Sequence, residues 1–254
     1  MKYYEELVAM GCFMKNELVN LTGSEAAAAS LVYSYLRKGY IERVRRDLYA
    51  TISIETKQPI CNRFQIAAQL ADDACLSNHS AFEYYGYANQ VYYDVYVSSK
   101  RRFREFSYNS ITYHRVSQAS ETIQTVIINK VTVTSPEQTV VDSINNFEQI
   151  GGLEEVLRCI MLVPFLSAEK LLSALTSYHS GFLYQKVGYL LEALNNTLGL
   201  PESFFEECKK YLSNSKKYLS SEHKGYVLHD SWLLFAPKSI NELLDKGVTD
   251  YDAI

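Results

Sequence analysis

The chain has 254 residues, 47% hydrophobic and 21% charged, with a formal net charge of −4. That length allows one large domain or two ordinary ones, and the apolar content excludes a disordered chain. On so acidic a protein, a local basic patch says more about partners than it would on a basic one.

The elements follow from local signals. Residues 3–10 read as a helix that contributes Leu7, Val8 and Met10 to a core. Residues 15–21 read as a short second helix, with Met14, Leu18 and Leu21 facing the first. Thr22-Gly23 breaks it, because glycine takes left-handed dihedrals at little cost. Ser24 is a natural N-cap for a long helix over 25–38, and Glu25 in its first turn suits the helix dipole. Ala29, Val32 and Leu36 recur at helical spacing and are expected to pack inward. Ala27, Ser30, Ser34 and Arg37 lie on a different face. Gly39 ends the helix. Two β-type runs follow, 41–45 and 48–52, with Arg46-Asp47 as the turn between them.

Helix, tight turn, helix and β-hairpin is the outline of a winged helix-turn-helix, a DNA-binding module. Between Arg37 and Asp47 stand five basic residues (Arg37, Lys38, Arg43, Arg45, Arg46) against two acidic ones (Glu42, Asp47). Phosphate contacts supply most non-specific DNA affinity, so this cluster supports the same reading. The expected DNA-binding residues are Ser24, Ala27, Ser30, Ser34, Arg37, Lys38, Arg43, Arg45 and Arg46. Small residues on the helix face allow close approach to a groove but offer few long side chains for base edges.

Residues 55–60 are polar, contain Pro59 and read as a linker. Beyond it the expected elements are a helix over 62–71, a strand at 74–76, a short helix over 80–85 and a strand over 91–98. Further β-runs are 111–116, 125–128 and 131–134, and Ser135-Pro136 opens another helix. From Gly151 the spacing turns helical, over 153–162, 168–178, 182–194 and 203–212. A β-like run at 231–235 and a weak helix at 240–244 end the chain. The expected fold class is therefore α+β: a winged helix-turn-helix over 1–55, then a larger α+β domain over 56–254. The larger domain has its strands within about 62–146 and is mainly helical over about 147–254.

The loop at 99–105, SKRRFRE, holds Lys100, Arg101, Arg102 and Arg104 interleaved with Phe103. Such a loop is either a solubilising tip or a second surface for nucleic acid or an acidic protein face. The five cysteines are scattered and form no C-x-x-C pair, which argues for reduced thiols in the cytoplasm and against a zinc site. The N-terminus lacks the apolar core of a signal peptide, and the apolar run at 160–166 is too short to span a membrane. The five histidines are dispersed, and no phosphate-cradling, metalloprotease or nucleophile-elbow motif is present. Cys75-x-x-x-His79 has nucleophile-pair spacing but no helix is expected across it. His79 and Ser80 read as fixing the turn before a helix, and Asp142 as a local cap or pair. No catalytic residue, metal or cofactor is expected.

Four stretches resemble the AbiEi antitoxins of bacterial abortive-infection systems. They are RKGYIERVRRDLYA (37–50), LSNHSAFEYYGY (76–87), VTVTSPEQTVVDSI (131–144), and the helical pair GGLEEVLRCI (151–160) and GFLYQKVGYLLE (181–192). One departure is Asp47, where many members of the family carry glycine. The resemblance implies an N-terminal winged helix that binds inverted repeats in operator DNA and represses its own operon. It also implies a C-terminal domain that counteracts a nucleotidyltransferase-like toxin without requiring a stable complex. The competing reading is a nuclease-like enzyme with a winged-helix targeting domain, for which the sequence offers no acidic-strand-and-lysine constellation.

Overall fold

The computed structural model describes residues 2–118, 122–221 and 223–249. The chain forms two compact units that interleave in sequence. The first takes Met1–Leu76, Tyr93–Ser117 and Ile127–Thr132; the second takes Ser77–Tyr92, Gln118–Val126 and Val133–Ile254. Helices and several sheets are mixed throughout, in keeping with the α+β expectation.

The first unit opens with α1 (Tyr4–Met10), β1 (Cys12–Met14), α2 (Lys15–Thr22), α3 (Glu25–Lys38), β2 (Ile41–Arg45) and β3 (Leu48–Thr51). The expected signals act as read. The Glu17 carboxylate accepts from the Met14 N–H at 2.7 Å at the start of α2, and Gly23 ends that helix at φ 83°. Ser24 Oγ accepts from the Ala27 N–H at 3.2 Å, and Gly39 takes φ 67° at the far end of α3. β1 was not foreseen. It pairs antiparallel with β3, Phe13 opposite Tyr49, giving a three-stranded sheet in the order β1-β3-β2.

Leu7, Phe13, Leu18, Ala28, Val32, Tyr35, Ile41 and Tyr49 form the core of this region. The buried stripe of α3 therefore differs from the expected one. Ala28, Val32 and Tyr35 are buried, whereas Ala29 is exposed and Leu36 only half-buried. Tyr35 decides the rotation: its ring packs edge-on against Tyr40 and its hydroxyl donates to the Lys2 carbonyl.

Residues 53–60 fold back onto β3. Ser53 N–H donates to Gln58 O and Ile60 N–H to Thr51 O, both at 2.9 Å, so the stretch read as a linker is a hydrogen-bonded turn. Then come α4 (Arg63–Ala68), capped by Asn62, and β4 (Cys75–Leu76). The chain enters the second unit with α5 (Asn78–Tyr85) and returns to the first with β5 (Asp94–Ser99), β6 (Phe106–Tyr108) and β7 (Ile111–Ser117). The strand expected from Val91 starts at Asp94, and Val91 and Tyr93 are exposed. β8 (Thr125–Ile128) and β9 (Val131–Thr134) complete a six-stranded sheet, β6-β7-β5-β4-β9-β8. Its β5–β7 pair is parallel, Asp94 opposite Thr112 through Ser99 opposite Ser117.

The second unit continues with α6 (Pro136–Asn146), α7 (Gly152–Met161), α8 (Ala168–Thr176), α9 (Gly181–Ala193), α10 (Asn195–Leu198) and α11 (Glu202–Lys210). Three short strands, β10 (Lys217–Tyr218), β11 (Val227–His229) and β12 (Leu234–Ala236), form a small sheet before α12 (Ile240–Thr249). Trp232 lies in a 3-10 turn rather than in the β-run expected at 231–235. It is buried, and its indole donates to Glu192 at 2.6 Å. A Cβ built on Gly188 would come within 2.0 Å of the Trp232 ring, so α9 meets the indole through a position that only glycine fits. Among the described residues, no helix is long and apolar enough to cross a membrane.

Candidate functional site

In the first unit, the face of α3 expected to meet DNA is open. Ala27, Ser30, Arg37 and Lys38 are exposed and Ser34 is half-buried. Ser24 is exposed too, with its hydroxyl engaged in capping. Tyr33, which the sequence reading left out, is 65% exposed, with the Arg37 guanidinium over its ring at 5.7 Å. The i, i+4 spacing of Tyr33 and Arg37 on one helix is the sequence signal for this contact.

The arginines of the hairpin behave differently from one another. Arg43 and Arg46 are exposed. The Arg45 guanidinium turns back into the unit, donating to the Leu70 carbonyl at 2.7 Å and lying 5.7 Å from the rings of both Phe103 and Phe106. Burial holds its pKa below the ordinary arginine value, and nearby Arg101 adds to the effect. Glu42 of β2 accepts from the Tyr108 hydroxyl at 3.0 Å.

These contacts set the loop at 99–105 beside the hairpin, within one compact unit. The loop is a built structure rather than a loose tip. Asp73 accepts from Ser99 Oγ at 2.6 Å and from the Lys100 N–H at 2.7 Å. The Arg115 guanidinium donates to the carbonyls of Ser99, Lys100 and Arg101. Lys100, Arg101, Arg102 and Arg104 are exposed, and Arg101 pairs with Asp72 at 2.8 Å. Through Arg45, the hairpin and the loop, more than fifty residues apart in sequence, thus come together in one unit.

The second unit contains a buried polar cluster. His79 on α5 is 1% exposed and stacks on Tyr92 at 4.1 Å. Its Nε2 lies 2.9 Å from Glu155 Oε1 on α7, and its Nδ1 lies 3.3 Å from Glu83 Oε1. The second approach has ion-pair distance without hydrogen-bond alignment. Glu155 also accepts from Asn89 Nδ2, the Gln90 N–H and the Cys159 thiol. Burial pushes the Glu155 carboxyl up, but the donors, His79 foremost, outweigh it and hold the group below the usual carboxylate range. Burial pushes the Cys159 thiol up. His79 therefore does more than fix a turn: it joins α5 to α7.

Asp142 pairs locally on α6 with Gln138 at 2.6 Å and reaches Tyr178 at 2.5 Å. His114 lies in the first unit, its Nε2 2.7 Å from Asp94 and its Nδ1 3.2 Å from Glu105.

No family model matches this chain, and no curated protein matches it. Among solved structures, it is similar to the RV2827C protein from Mycobacterium tuberculosis. The TM-score is 0.64 and the identity 14%, over 93% of this chain and 89% of that one. At that identity, the likeness speaks for a shared fold alone.

Proposed function

We propose that the first unit carries a winged helix-turn-helix that binds double-stranded DNA, with α3 as the recognition helix and the β2–β3 hairpin as the wing. The observation that supports this best is the joining of two basic segments, at 43–46 and 100–104, in the unit that holds the open face of α3. Small side chains on that face permit close groove approach, while Arg43, Arg46, Arg102 and Arg104 supply phosphate contacts. The loop then extends the wing's footprint. In this reading the protein represses its own operon and counteracts a nucleotidyltransferase-like toxin. The antitoxin half rests on the resemblance of the four motifs.

The DNA reading is tested by retention of a duplex taken from upstream of the protein's own gene. Ser30→Asp sets an anion on the exposed face of α3 without touching the core, so it is expected to weaken binding at least tenfold while the fold stays intact. A folded Ser30→Asp protein with native affinity would contradict α3 as the recognition helix. For the antitoxin half, co-expression with the neighbouring toxin is the test, and failure to restore growth would contradict it.

A further inference from the structure

We propose that His79, Glu155 and Cys159 supply three ligands of a zinc site that ties α5 to α7. One ligand atom from each lies within 4.8 Å of the others, and all three residues are buried. The donor set suits zinc, which takes imidazole nitrogen, carboxylate oxygen and thiolate sulfur together. Glu155 and Cys159 stand one helical turn apart on α7 and present their donors on one face. Tetrahedral bonds of about 2.0–2.3 Å set ligand atoms about 3.3–3.8 Å apart. The observed 2.9 Å from Nε2 to Oε1 and 3.3 Å from Sγ to Oε1 reach that spacing after small outward shifts.

The surroundings point the same way. The other ring nitrogen of His79, Nδ1, faces the Glu83 carboxylate. Nδ1 is in fact among the buried atoms that lack a hydrogen-bond partner. With Nε2 on a cation, Nδ1 is the ring nitrogen left beside Glu83 Oε1, 3.3 Å away. Carboxylate, histidine and metal in that order is how ligating histidines are commonly oriented. Asn89 Nδ2 holds the Glu155 carboxylate by its far oxygen, Oε2, while the Gln90 N–H donates to Oε1 itself. On binding, Cys159 gives up its thiol proton to solvent, and neutral His79 and ionised Glu155 each donate a lone pair. Two of the motif stretches, 76–87 and 151–160, meet at this point.

The test uses the full chain and two probes. Elemental analysis of protein expressed in zinc-supplemented medium is expected to give about one zinc per chain. Co²⁺ added to the chelator-treated protein is expected to give a thiolate-to-cobalt charge-transfer band that Zn²⁺ abolishes. Cys159→Ser should lose the band and Cys208→Ser, at another buried thiol, should keep it. Should Cys159→Ser fail to fold, Glu83→Gln decides: it removes no ligand, and should keep the band with affinity reduced by about 10–100-fold. Absence of zinc and of the band in the folded native chain would overturn the proposal. So would a band that survives in folded Cys159→Ser, one that disappears in Cys208→Ser, or unchanged affinity in Glu83→Gln.

Discussion

Asp47 sits at the tip of the hairpin with φ 62°, in the left-handed region. Glycine occupies such positions freely, whereas aspartate is among the few side chains that tolerate them. The departure from glycine thus preserves the turn. Arg45 and Arg46 are neighbours with opposite roles. Arg46 is a solvent-exposed charge, whereas Arg45 satisfies the Leu70 carbonyl and covers two rings. Arg45→Ala is therefore expected to cost about 1–3 kcal/mol of stability, since a carbonyl loses its charged donor. Its effect on DNA affinity should follow from that lost stability, and a melting temperature equal to that of the native chain would contradict this.

Asp142 makes a pH-dependent prediction. Burial pushes its carboxyl up to about 6, from an ordinary 3.8, against the opposing hydrogen bonds of Tyr178 and Gln138. Folded chains therefore hold more protons than unfolded ones between those values. The group's favourable contribution is complete below the unfolded value and is lost as pH rises through about 6. Asp142→Asn removes this dependence, so denaturant titrations should show a flatter pH profile and, near neutrality, a gain on the order of 1–3 kcal/mol. An unchanged profile would mean that the carboxyl is not perturbed. At Gly188, any side chain drives into Trp232, and Gly188→Ala is expected to destabilise the protein by about 1–3 kcal/mol or more.

At the scale of elements, the hairpin is held from outside the first 55 residues. Glu42 receives Tyr108 and Arg45 reaches Leu70, both within the first unit. A fragment ending at residue 55 is therefore expected to melt at a lower temperature than the full chain and to bind DNA more weakly. Equal affinity and stability in that fragment would show that the loop adds nothing.

The sequence declares α2 and α3 well, because Gly23, Ser24 and Gly39 mark their ends by local chemistry. It does not declare β1 or β6, which are three residues each and gain their identity only by pairing. The stripe of α3 is not legible, because alanines offer several equivalent faces and the choice falls to Tyr35. The basic residues of the hairpin and the loop are legible one by one. Their union is not, since it depends on Arg45 meeting Phe103 and Phe106 across the fold. The cluster around His79 is hidden for the same reason: Glu155 lies 76 residues away.

At the scale of the whole molecule, two units interleave along a chain of net charge −4, and the two basic segments belong to one of them. An overall negative charge discourages indiscriminate anion binding, and a local basic patch reverses it. The central claim is that this patch holds DNA phosphates. The direct measurement is affinity for the upstream duplex across a range of salt concentrations, for the native chain and for the combined variant Arg43→Ala, Arg46→Ala, Arg102→Ala and Arg104→Ala. Each lost contact is expected to flatten the logarithmic salt slope by roughly 0.9, so the variant should bind weakly with a slope shallower by about 3 to 4. A folded variant with the native affinity and slope would contradict the account.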